Sequence, residues 1–226
     1  MNVGAVVMAA GAGRRMGHRP KSLLLRDGVP LIERTVRLLL ASGVATVVVV
    51  LGHHAAVIEP VLRRVQGSLP DPDALQWAVN PAPDEGQGGS LRTGLVALPP
   101  TLDAVLVALA DQPLLLVEDV RNVLAAWAQR PAGIELLAPQ FEGQPGHPIV
   151  FDSAVRAAVM QAEGAAGVRE WRRAHAERVQ PWPVQHARHT TDVDTPEDLQ
   201  TLERMHGVRL QWPADLVSNG SGTLTS

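Results

Sequence analysis

The chain has 226 residues, of which 46% are apolar and only 3% aromatic, and its formal net charge is −3. The length suits one α/β domain, and a core of Val, Leu, Ile and Ala is typical of a parallel sheet covered by helices. The absence of cysteine excludes disulfides, thiolate catalysis and zinc–cysteine sites. Without an extended basic face or an apolar run near the ~20 residues of a membrane span, neither nucleic acid nor membrane is the expected partner.

Apolar runs and helical periodicities alternate along the chain. The runs predict strands at 3–8, 45–51, 75–79, 103–109, 134–138, 147–151 and 192–194. Apolar residues at helical spacing predict helices at 30–42, 55–65, 87–98, 117–129, 153–160, 167–175 and 196–205. This alternation predicts a single-domain α/β fold, a mostly parallel Rossmann-like sheet between two helix layers.

The ends of the chain carry two further expectations. The first strand begins at once, with no charged-then-apolar leader, so we expect a cytoplasmic protein. The domain is expected to span 1–207. Residues 208–226 lack periodicity and are expected to be disordered.

The segment after the first strand has the features of a phosphate-binding loop. Ala9, Ala10, Gly11 and Gly13 have small or no side chains, which lets a ligand approach the backbone. The basic residues Arg14, Arg15, Arg19 and Lys21 follow, and no acidic residue occurs before Asp27. Such a concentration of positive charge predicts an anionic ligand, although a glycine-rich turn with solvated arginines is the simpler alternative. The only lysine in the chain, Lys21, suits a point contact to a phosphate.

Two familiar phosphate loops do not fit this segment. The dinucleotide fingerprint G-x-G-x-x-G would need its third glycine one residue before Gly17, and Pro20 interrupts a helix started there. The P-loop needs Gly-Lys-Ser/Thr, whereas this chain has Pro20-Lys21-Ser22. The pattern that does fit is x-A-A-G-x-G-x-R-M-G-x-x-x-K.

That pattern resembles the signature loop of nucleotidyltransferases that activate sugars, polyols and pterins with NTPs. Within this superfamily the sequence most resembles the molybdenum cofactor cytidylyltransferases and related MobA-like NTP transferases, over about residues 3–206. The resemblance implies a three-layer sandwich of the nucleotide-diphospho-sugar transferase type. In an open α/β sheet the ligand is then expected at the carboxyl ends of the strands.

Carboxylates follow two of the predicted strands. Asp111 ends the fourth strand in the sequence LADQP, and its position suits Mg²⁺, which binds one or two carboxylates together with substrate phosphates. Asp192 and Asp194 lie in DVDTPED, which resembles the family's segment for a second metal ligand. The alternatives are helix caps, Asp111 for the following helix and Asp194 or Thr195 for the last one. The resemblance implies metal ligation by Asp111 and Asp194.

Two more segments resemble family motifs. The first, EGQGGSLR after Asn80, starts a helix whose free N–H groups suit a nucleotide, and Ser90 is expected to contact the base or ribose. In the second, GHP, Gly146 and His147 are expected to contact the acceptor, or to form a plain structural turn. There Gln144-Pro145 replaces the arginine common in the family.

Two histidine pairs invite a metal interpretation. His53-His54 and His186/His189 lack the H-x-x-x-H spacing and an obvious third ligand. We expect these four histidines to be solvated loop residues.

The resemblance implies transfer of CMP from CTP to molybdenum-bearing molybdopterin, with release of pyrophosphate. Arg14 and Lys21 would bind the triphosphate, and Asp111 and Asp194 would bind Mg²⁺. Because a loop lysine is expected to bury little surface, replacing Lys21 should lower turnover far more than stability. Ala10 favours CTP over GTP, and molybdenum hydroxylases would receive the product. The alternatives are a sister enzyme using GTP or a sugar or polyol phosphate, and a non-catalytic chaperone that delivers the cofactor.

Overall fold

The computed structural model describes residues 1–218. The strands are β1 Val3–Ala9, β2 Leu25–Arg26, β3 Val29–Pro30, β4 Thr46–Leu51, β5 Leu75–Val79, β6 Ala104–Leu109, β7 Leu136–Phe141, β8 Gln144–Pro145, β9 Ile149–Phe151, β10 Val179–Pro183 and β11 Leu210–Gln211. The α-helices are α1 Leu31–Ala41, α2 Ala55–Gly67, α3 Gln87–Ala97, α4 Val117–Ala128, α5 Ser153–Gln161, α6 Val168–Ala174, α7 Pro196–His206 and α8 Ala214–Ser218. In this part of the chain no helix has both the length and the apolar character needed to cross a membrane.

Most strands belong to one sheet in the order β10–β7–β9–β6–β1–β4–β5, with β8 paired to the end of β7. The pairs β1–β4, β1–β6, β4–β5 and β10–β7 are parallel. Strand β9 is antiparallel to both of its neighbours, β6 and β7. The start of β9 therefore lies at the same edge of the sheet as the carboxyl ends of β1, β4 and β6.

Helices cover both faces of this sheet. Alternate residues of a strand point to opposite faces, so Val7 and Val49 pack in one apolar cluster with α1, α2 and α4. Their neighbours Val6 and Val50 pack in a second cluster with α3, α5 and α6. The predicted mostly parallel three-layer sandwich is confirmed.

One strand was not predicted and one predicted strand does not form, both for reasons of pairing. The unpredicted strand is β10, with the sequence VQPWP, which lies at the sheet edge, where proline is tolerated. Residues 192–194 form no strand. Both edges of β6 are already paired, so this segment crosses the end of β6 and makes one backbone bond, from Val193 N–H to the carbonyl of Asp111 at 3.1 Å.

The predicted domain end at 207 also needs correction. Residues 208–218 include β11, which pairs with β2 in a small antiparallel sheet. Leu210 is buried in a third apolar cluster with Met16, and the guanidinium of Arg19 lies 4.4 Å from the ring centroid of Trp212. The segment is ordered because it covers the glycine-rich loop. The rest of the predicted tail, 219–226, lies outside the described residues.

The close approach of α3 to the sheet gives a stability prediction. A Cβ added at Gly94 would lie 2.6 Å from Cγ1 of Val6 and 2.7 Å from Cγ2 of Val50. Because valine side chains have little rotamer freedom, we expect Gly94→Ala to lower the free energy of unfolding by about 1–3 kcal/mol in urea denaturation.

The matched control is Gly67→Ala at the end of α2, where nothing lies within 4 Å of the added Cβ. This variant should be neutral or stabilising by up to about 1 kcal/mol, since alanine favours helix more than glycine does. Equal stability of Gly94→Ala and wild type would show that α3 is not held this closely.

Candidate active site

The glycine-rich loop after β1 is shaped by contacts between its own residues. Gly13 has φ +61°, and a Cβ there would lie 2.0 Å from the carbonyl oxygen of Arg19. The Gly13 carbonyl accepts hydrogen bonds from the N–H groups of Met16 and His18. The buried side chain of Met16 anchors the loop in the third apolar cluster. The loop is therefore a defined turn with its arginines at the surface.

The end of β4 supports the start of this loop. Ala10 is buried, and a Cβ at Gly52 would lie 2.6 Å from the Ala10 carbonyl oxygen. Nε2 of His54 lies 3.0 Å from the carbonyl oxygen of Ala12. His53 is 3.2 Å from the carboxylate of Asp84. The expectation of a solvated loop residue is wrong for His54, which contacts the loop, whereas His53 is exposed and meets Asp84 at the surface.

Lys21 lies between two carboxylates. Its Nζ donates to Oδ2 of Asp111 at 2.6 Å and to Oδ1 of Asp194 at 2.5 Å. Lys21 and Asp111 each expose only 17% of their side chains. We call Lys21, Asp111 and Asp194 the central cluster. Lys21 is thus largely buried, which corrects the expectation that it buries little, so its replacement will also affect stability.

The structure separates the two neighbouring arginines of the loop. Arg15 forms an ion pair with Asp194 of the central cluster. Arg14 pairs instead with Asp84 at 2.8 Å, and both of those side chains are mostly exposed. The role assigned to Arg14 stays a prediction, and Arg15 must be added to the candidates. The family pattern held the signal, because its arginine directly precedes methionine, as Arg15 precedes Met16.

Burial and charge act in opposite directions in the central cluster. Burial raises the pKa of Asp111, although the charge and hydrogen bond of Lys21 oppose this. For Asp194, burial is outweighed by Lys21 and Arg15, which lower its pKa. Burial, Asp111 and Asp194 all raise the pKa of Asp192. Of these three carboxylates, Asp194 is the one for which the loop cations outweigh burial.

The donor atoms of the cluster fit a hard divalent cation. Oδ1 of Asp111 is buried and, among the described residues, has no hydrogen-bond partner. A buried carboxylate oxygen without a partner is costly unless something binds it. Carboxylate oxygens are the ligands that Mg²⁺ prefers. Asp111 and Asp194 therefore suit the predicted metal role.

The motif EGQGGSLR at the start of α3 follows the buried residue Asn80. Asn80 and Ser90 are both buried, and Nδ2 of Asn80 donates to Oγ of Ser90 at 2.9 Å. Arg92 donates to the carbonyl oxygens of Gly164 and Ala166, so it anchors the segment before α6. The nucleotide contacts predicted for Asn80 and Ser90 stay predictions. Arg92 therefore has a structural role.

Residues Gly146 to Pro148, which are expected to contact the acceptor and which we call the acceptor loop, precede β9. They are hydrogen-bonded to a segment that is distant in sequence. The N–H of His147 donates to the carbonyl of His189 at 2.8 Å, and Nδ1 of His189 lies 3.0 Å from the His147 carbonyl oxygen. A Cβ at Gly146 would lie 2.4 Å from the His189 carbonyl oxygen. Gln112, next to Asp111, donates to the same carbonyl at 2.8 Å. Hydrogen bonds thus link the acceptor loop to the central cluster.

His189 is buried, so its expected solvation is wrong. The third group that the sequence did not reveal is Asp119 on α4, which lies close to both His186 and His189. Arg188 donates to both carboxylate oxygens of Asp119, at 2.7 and 2.8 Å. A guanidinium already supplies the positive charge that Asp119 needs. We therefore interpret this group as an anchor for the segment that carries His189.

The comparison with known proteins agrees with this geometry. The sequence profile of the MobA-like NTP transferase domain matches residues 5–179. The chain belongs to the MobA-like NTP transferase family. It is accordingly a nucleotidyltransferase, an enzyme that transfers a nucleotide group.

Relatives of this MobA-like chain have diverse names. It is 35% identical to the nicotine blue oxidoreductase of Paenarthrobacter nicotinovorans over 210 residues, 90% of this chain and 95% of that protein. It is also 35% identical to the 2-C-methyl-D-erythritol 4-phosphate cytidylyltransferase of Streptomyces avermitilis over 123 residues, 54% of this chain and 48% of that protein.

Solved structures share the fold. The Rv0371c protein of Mycobacterium tuberculosis H37Rv matches with a TM-score of 0.71 at 23% identity, over 90% of this chain and 99% of that one. A complex of Rv0371c with manganese matches with a TM-score of 0.67 at 22% identity, over 89% of this chain and 98% of that one. The predicted nucleotidyltransferase-type sandwich is confirmed.

His147 gives the site a testable pH dependence. Burial and the charge of Arg172 lower the pKa of His147 from 6.5 to about 4. Between these pH values the unfolded chain binds more protons than the folded one, so stability falls as pH decreases through this window. At pH 5 this effect lowers the free energy of unfolding by about 2 kcal/mol.

This pH dependence is measured by urea unfolding of wild type and His147→Gln at pH 7 and pH 5. Between the two pH values the free energy of unfolding should fall by about 2 kcal/mol more in the wild type than in the variant. Equal losses would mean that the imidazole of His147 is accessible to solvent.

Proposed function

We propose that this nucleotidyltransferase moves CMP from CTP to the phosphate of molybdenum-bearing molybdopterin, releases pyrophosphate and forms molybdopterin cytosine dinucleotide. The observation that carries the proposal is the central cluster, a buried lysine between two carboxylates beside a glycine-rich loop. Such a cluster provides positive charge for donor phosphates and carboxylates for a divalent cation. The identities of donor and acceptor come from the family resemblance.

The chemistry is a displacement at phosphorus. An oxygen of the acceptor phosphate forms a bond to the α-phosphorus of CTP, the bond from that phosphorus to the bridging oxygen breaks, and its electron pair leaves with pyrophosphate. Phosphoryl-type transfer needs positioning and charge neutralisation more than covalent help from the protein. Lys21 and Arg15 would stabilise the charge that develops on pyrophosphate. The backbone of Ala9 to Gly13 and the start of α3 would hold the nucleotide.

Asp111 and Asp194 would hold Mg²⁺. When bound, the ion would neutralise charge on the phosphate oxygens of donor and acceptor. A structural neighbour was crystallised with manganese, another divalent cation that suits oxygen ligands. The unpartnered Oδ1 of Asp111 supports its role as a ligand.

Further support concerns the substrates. The small Ala9-Ala10 start of the loop favours CTP by resemblance, and a relative from Streptomyces avermitilis is a cytidylyltransferase. Molybdenum hydroxylases would receive the product, and the proposal places the reaction in the cytoplasm. Gly146 and His147 would contact the acceptor.

The proposal predicts pyrophosphate release with one nucleotide. Purified protein is incubated with Mg²⁺, each of the four NTPs in turn, and molybdenum cofactor freshly released from a donor protein. Release with CTP alone is the expected result. Reactions without acceptor, and with a sugar or polyol phosphate in its place, are the controls.

Each other outcome has a defined meaning. Release with GTP, or with a sugar or polyol phosphate, would contradict the proposed specificity and identify a sister nucleotidyltransferase. No release with intact cofactor and any NTP, together with tight binding of the cofactor, would favour a non-catalytic chaperone for a molybdenum hydroxylase.

A second candidate function follows from a relative that covers nearly the whole chain. That protein is named nicotine blue oxidoreductase, so the same preparation should be assayed for oxidation of NADH or NADPH in the presence of nicotine blue. Oxidation of NADH or NADPH in this assay, together with no pyrophosphate release in the first one, would contradict the transferase proposal and favour an oxidoreductase.

The neighbouring arginines provide a matched pair of variants. Arg15 pairs with Asp194 of the central cluster and Arg14 with Asp84, and the two arginines are similarly exposed. We expect Arg15→Gln to lower kcat about 10²-fold, the usual effect of removing one group that stabilises transition-state charge. Arg14→Gln should have a much smaller effect.

Steady-state pyrophosphate release measures both variants, with urea unfolding as a check on folding. Stability should change by less than about 1 kcal/mol in each, because exposed ion pairs contribute little. A larger loss of kcat in Arg14→Gln would restore Arg14 as the catalytic arginine.

A further inference from the structure

Helix α6 lines a cavity with arginines beside the acceptor loop. One wall of this cavity of about 500 Å³ is formed by Arg169, Arg172 and Arg173, and the other by Pro145, Val179 and Pro181. Helix positions i, i+3 and i+4 share one face, so the sequence VREWRRA of α6 places three guanidinium groups on the same wall. We call this space the α6 cavity.

Among residues 1–218 none of the three arginines donates a hydrogen bond or forms an ion pair. The carboxylate of Glu170 has its pKa lowered by the N–H of Gly167 and by the charges of Arg169 and Arg173. Other arginines in this part of the chain do have partners: Arg156 donates to carbonyl oxygens at the end of α3, and Arg178 pairs with Glu135. Glu170 on α6 accepts the N–H of Gly167 at 2.9 Å. The α6 cavity therefore has a wall of guanidinium groups that form no ion pair with any described residue.

An anion would stabilise this arrangement of guanidinium groups. Like charges at 4 Å repel by about 1 kcal/mol in water and by several times more where solvent is partly excluded. Arg172 is the most enclosed of the three, and burial lowers its pKa. Arginine binds oxyanions through two parallel hydrogen bonds and keeps its charge at any physiological pH. An oxyanion is the ligand class that this wall fits.

The α6 cavity adjoins the acceptor loop. Pro145 in its wall directly precedes Gly146 and His147 of the acceptor loop, and the charge of Arg172 affects the imidazole of His147. The acceptor loop is bonded through His189 to Gln112, next to Asp111. A ligand that extends along the acceptor loop could therefore contact both places.

We propose that the α6 cavity binds an anionic group of the acceptor, at the end remote from its reacting phosphate. This inference rests on the proposed function, in which the reacting phosphate lies at the central cluster. Molybdenum-bearing molybdopterin has such a group, an oxo-molybdenum centre held by sulfur, whereas a simple sugar monophosphate does not. The arginines of α6 also supply the charge that Gln144-Pro145 does not bring to the acceptor loop.

Direct binding of molybdate, a small oxyanion, tests the cavity without catalysis. The glycine-rich loop also attracts oxyanions, so the parent protein carries Arg14→Gln and Arg15→Gln. Calorimetric titrations at constant ionic strength compare it with the same protein also carrying Arg169→Gln, Arg172→Gln and Arg173→Gln. The matched control adds Arg209→Gln, an exposed arginine elsewhere on the chain.

We expect the three α6 changes to weaken molybdate binding at least about tenfold, because several charge-assisted hydrogen bonds are lost together. The Arg209→Gln control should bind as the parent does. Equal affinity in all three proteins, or no saturable binding by the parent, would overturn the inference. Circular dichroism and thermal unfolding confirm that each variant is folded.

Turnover provides a second test. With CTP and released molybdenum cofactor, Arg172→Gln should raise the KM for the acceptor about tenfold and leave the KM for CTP unchanged. An unchanged acceptor KM would overturn the inference while the proposed function stands. If wild type releases no pyrophosphate with any NTP, the proposed function fails, and the molybdate titration still decides whether the α6 cavity binds anions.

Discussion

Two carboxylates that are distant in sequence, Asp111 and Asp194, meet at the ammonium group of Lys21. Without a cation between them, two nearby carboxylates in a partly dry site repel by several kcal/mol at roughly 4 Å. Lys21, which the glycine-rich loop brings to this end of the sheet, offsets that repulsion, and the contacts of Gly13 and Met16 hold the loop in place. A triphosphate with a divalent cation offers a replacement for both partners, phosphate oxygens for the lysine and the cation for the carboxylates. The interaction that stabilises the loop is therefore also the one that prepares it for an anionic substrate.

The topology of the sheet brings the acceptor side to the same place. Strand β9 is antiparallel to its neighbours β6 and β7, so its first residues lie at the edge where the parallel strands end. The acceptor loop consequently reaches the central cluster without a long connection. The ion pair between Asp119 and Arg188 fixes the segment that carries His189, and the His189 carbonyl accepts bonds from both His147 and Gln112. The donor and acceptor sides are thus coupled at one carbonyl, which accepts the main-chain N–H of His147 and the side-chain amide of Gln112.

The features that could be predicted from the sequence are those with a local pattern. Buried strands such as β4 and the helices of both layers followed from apolar periodicity, and Lys21, Asp111 and Asp194 followed from short motifs. Strand β10 was missed because its prolines are permitted only by its edge position, which no local pattern reveals. The anchor of Asp119 with Arg188 was missed because it depends on long-range packing. The prediction of a strand at 192–194 was wrong for the same reason, because β6 is already paired on both sides.

The two sides of the site differ in how far the family constrains them. The loop and central cluster match motifs shared by enzymes that activate unrelated acceptors, and a fold of this kind does not by itself specify a reaction. Relatives named as a cytidylyltransferase and as an oxidoreductase share this family likeness. The choice of acceptor must then be made on the acceptor side, where this chain has Gln144-Pro145 in place of the arginine common in the family. A charge removed from the acceptor loop and supplied again by helix α6 would move the anion site away from the reacting phosphate, and so lengthen the acceptor that the enzyme can recognise.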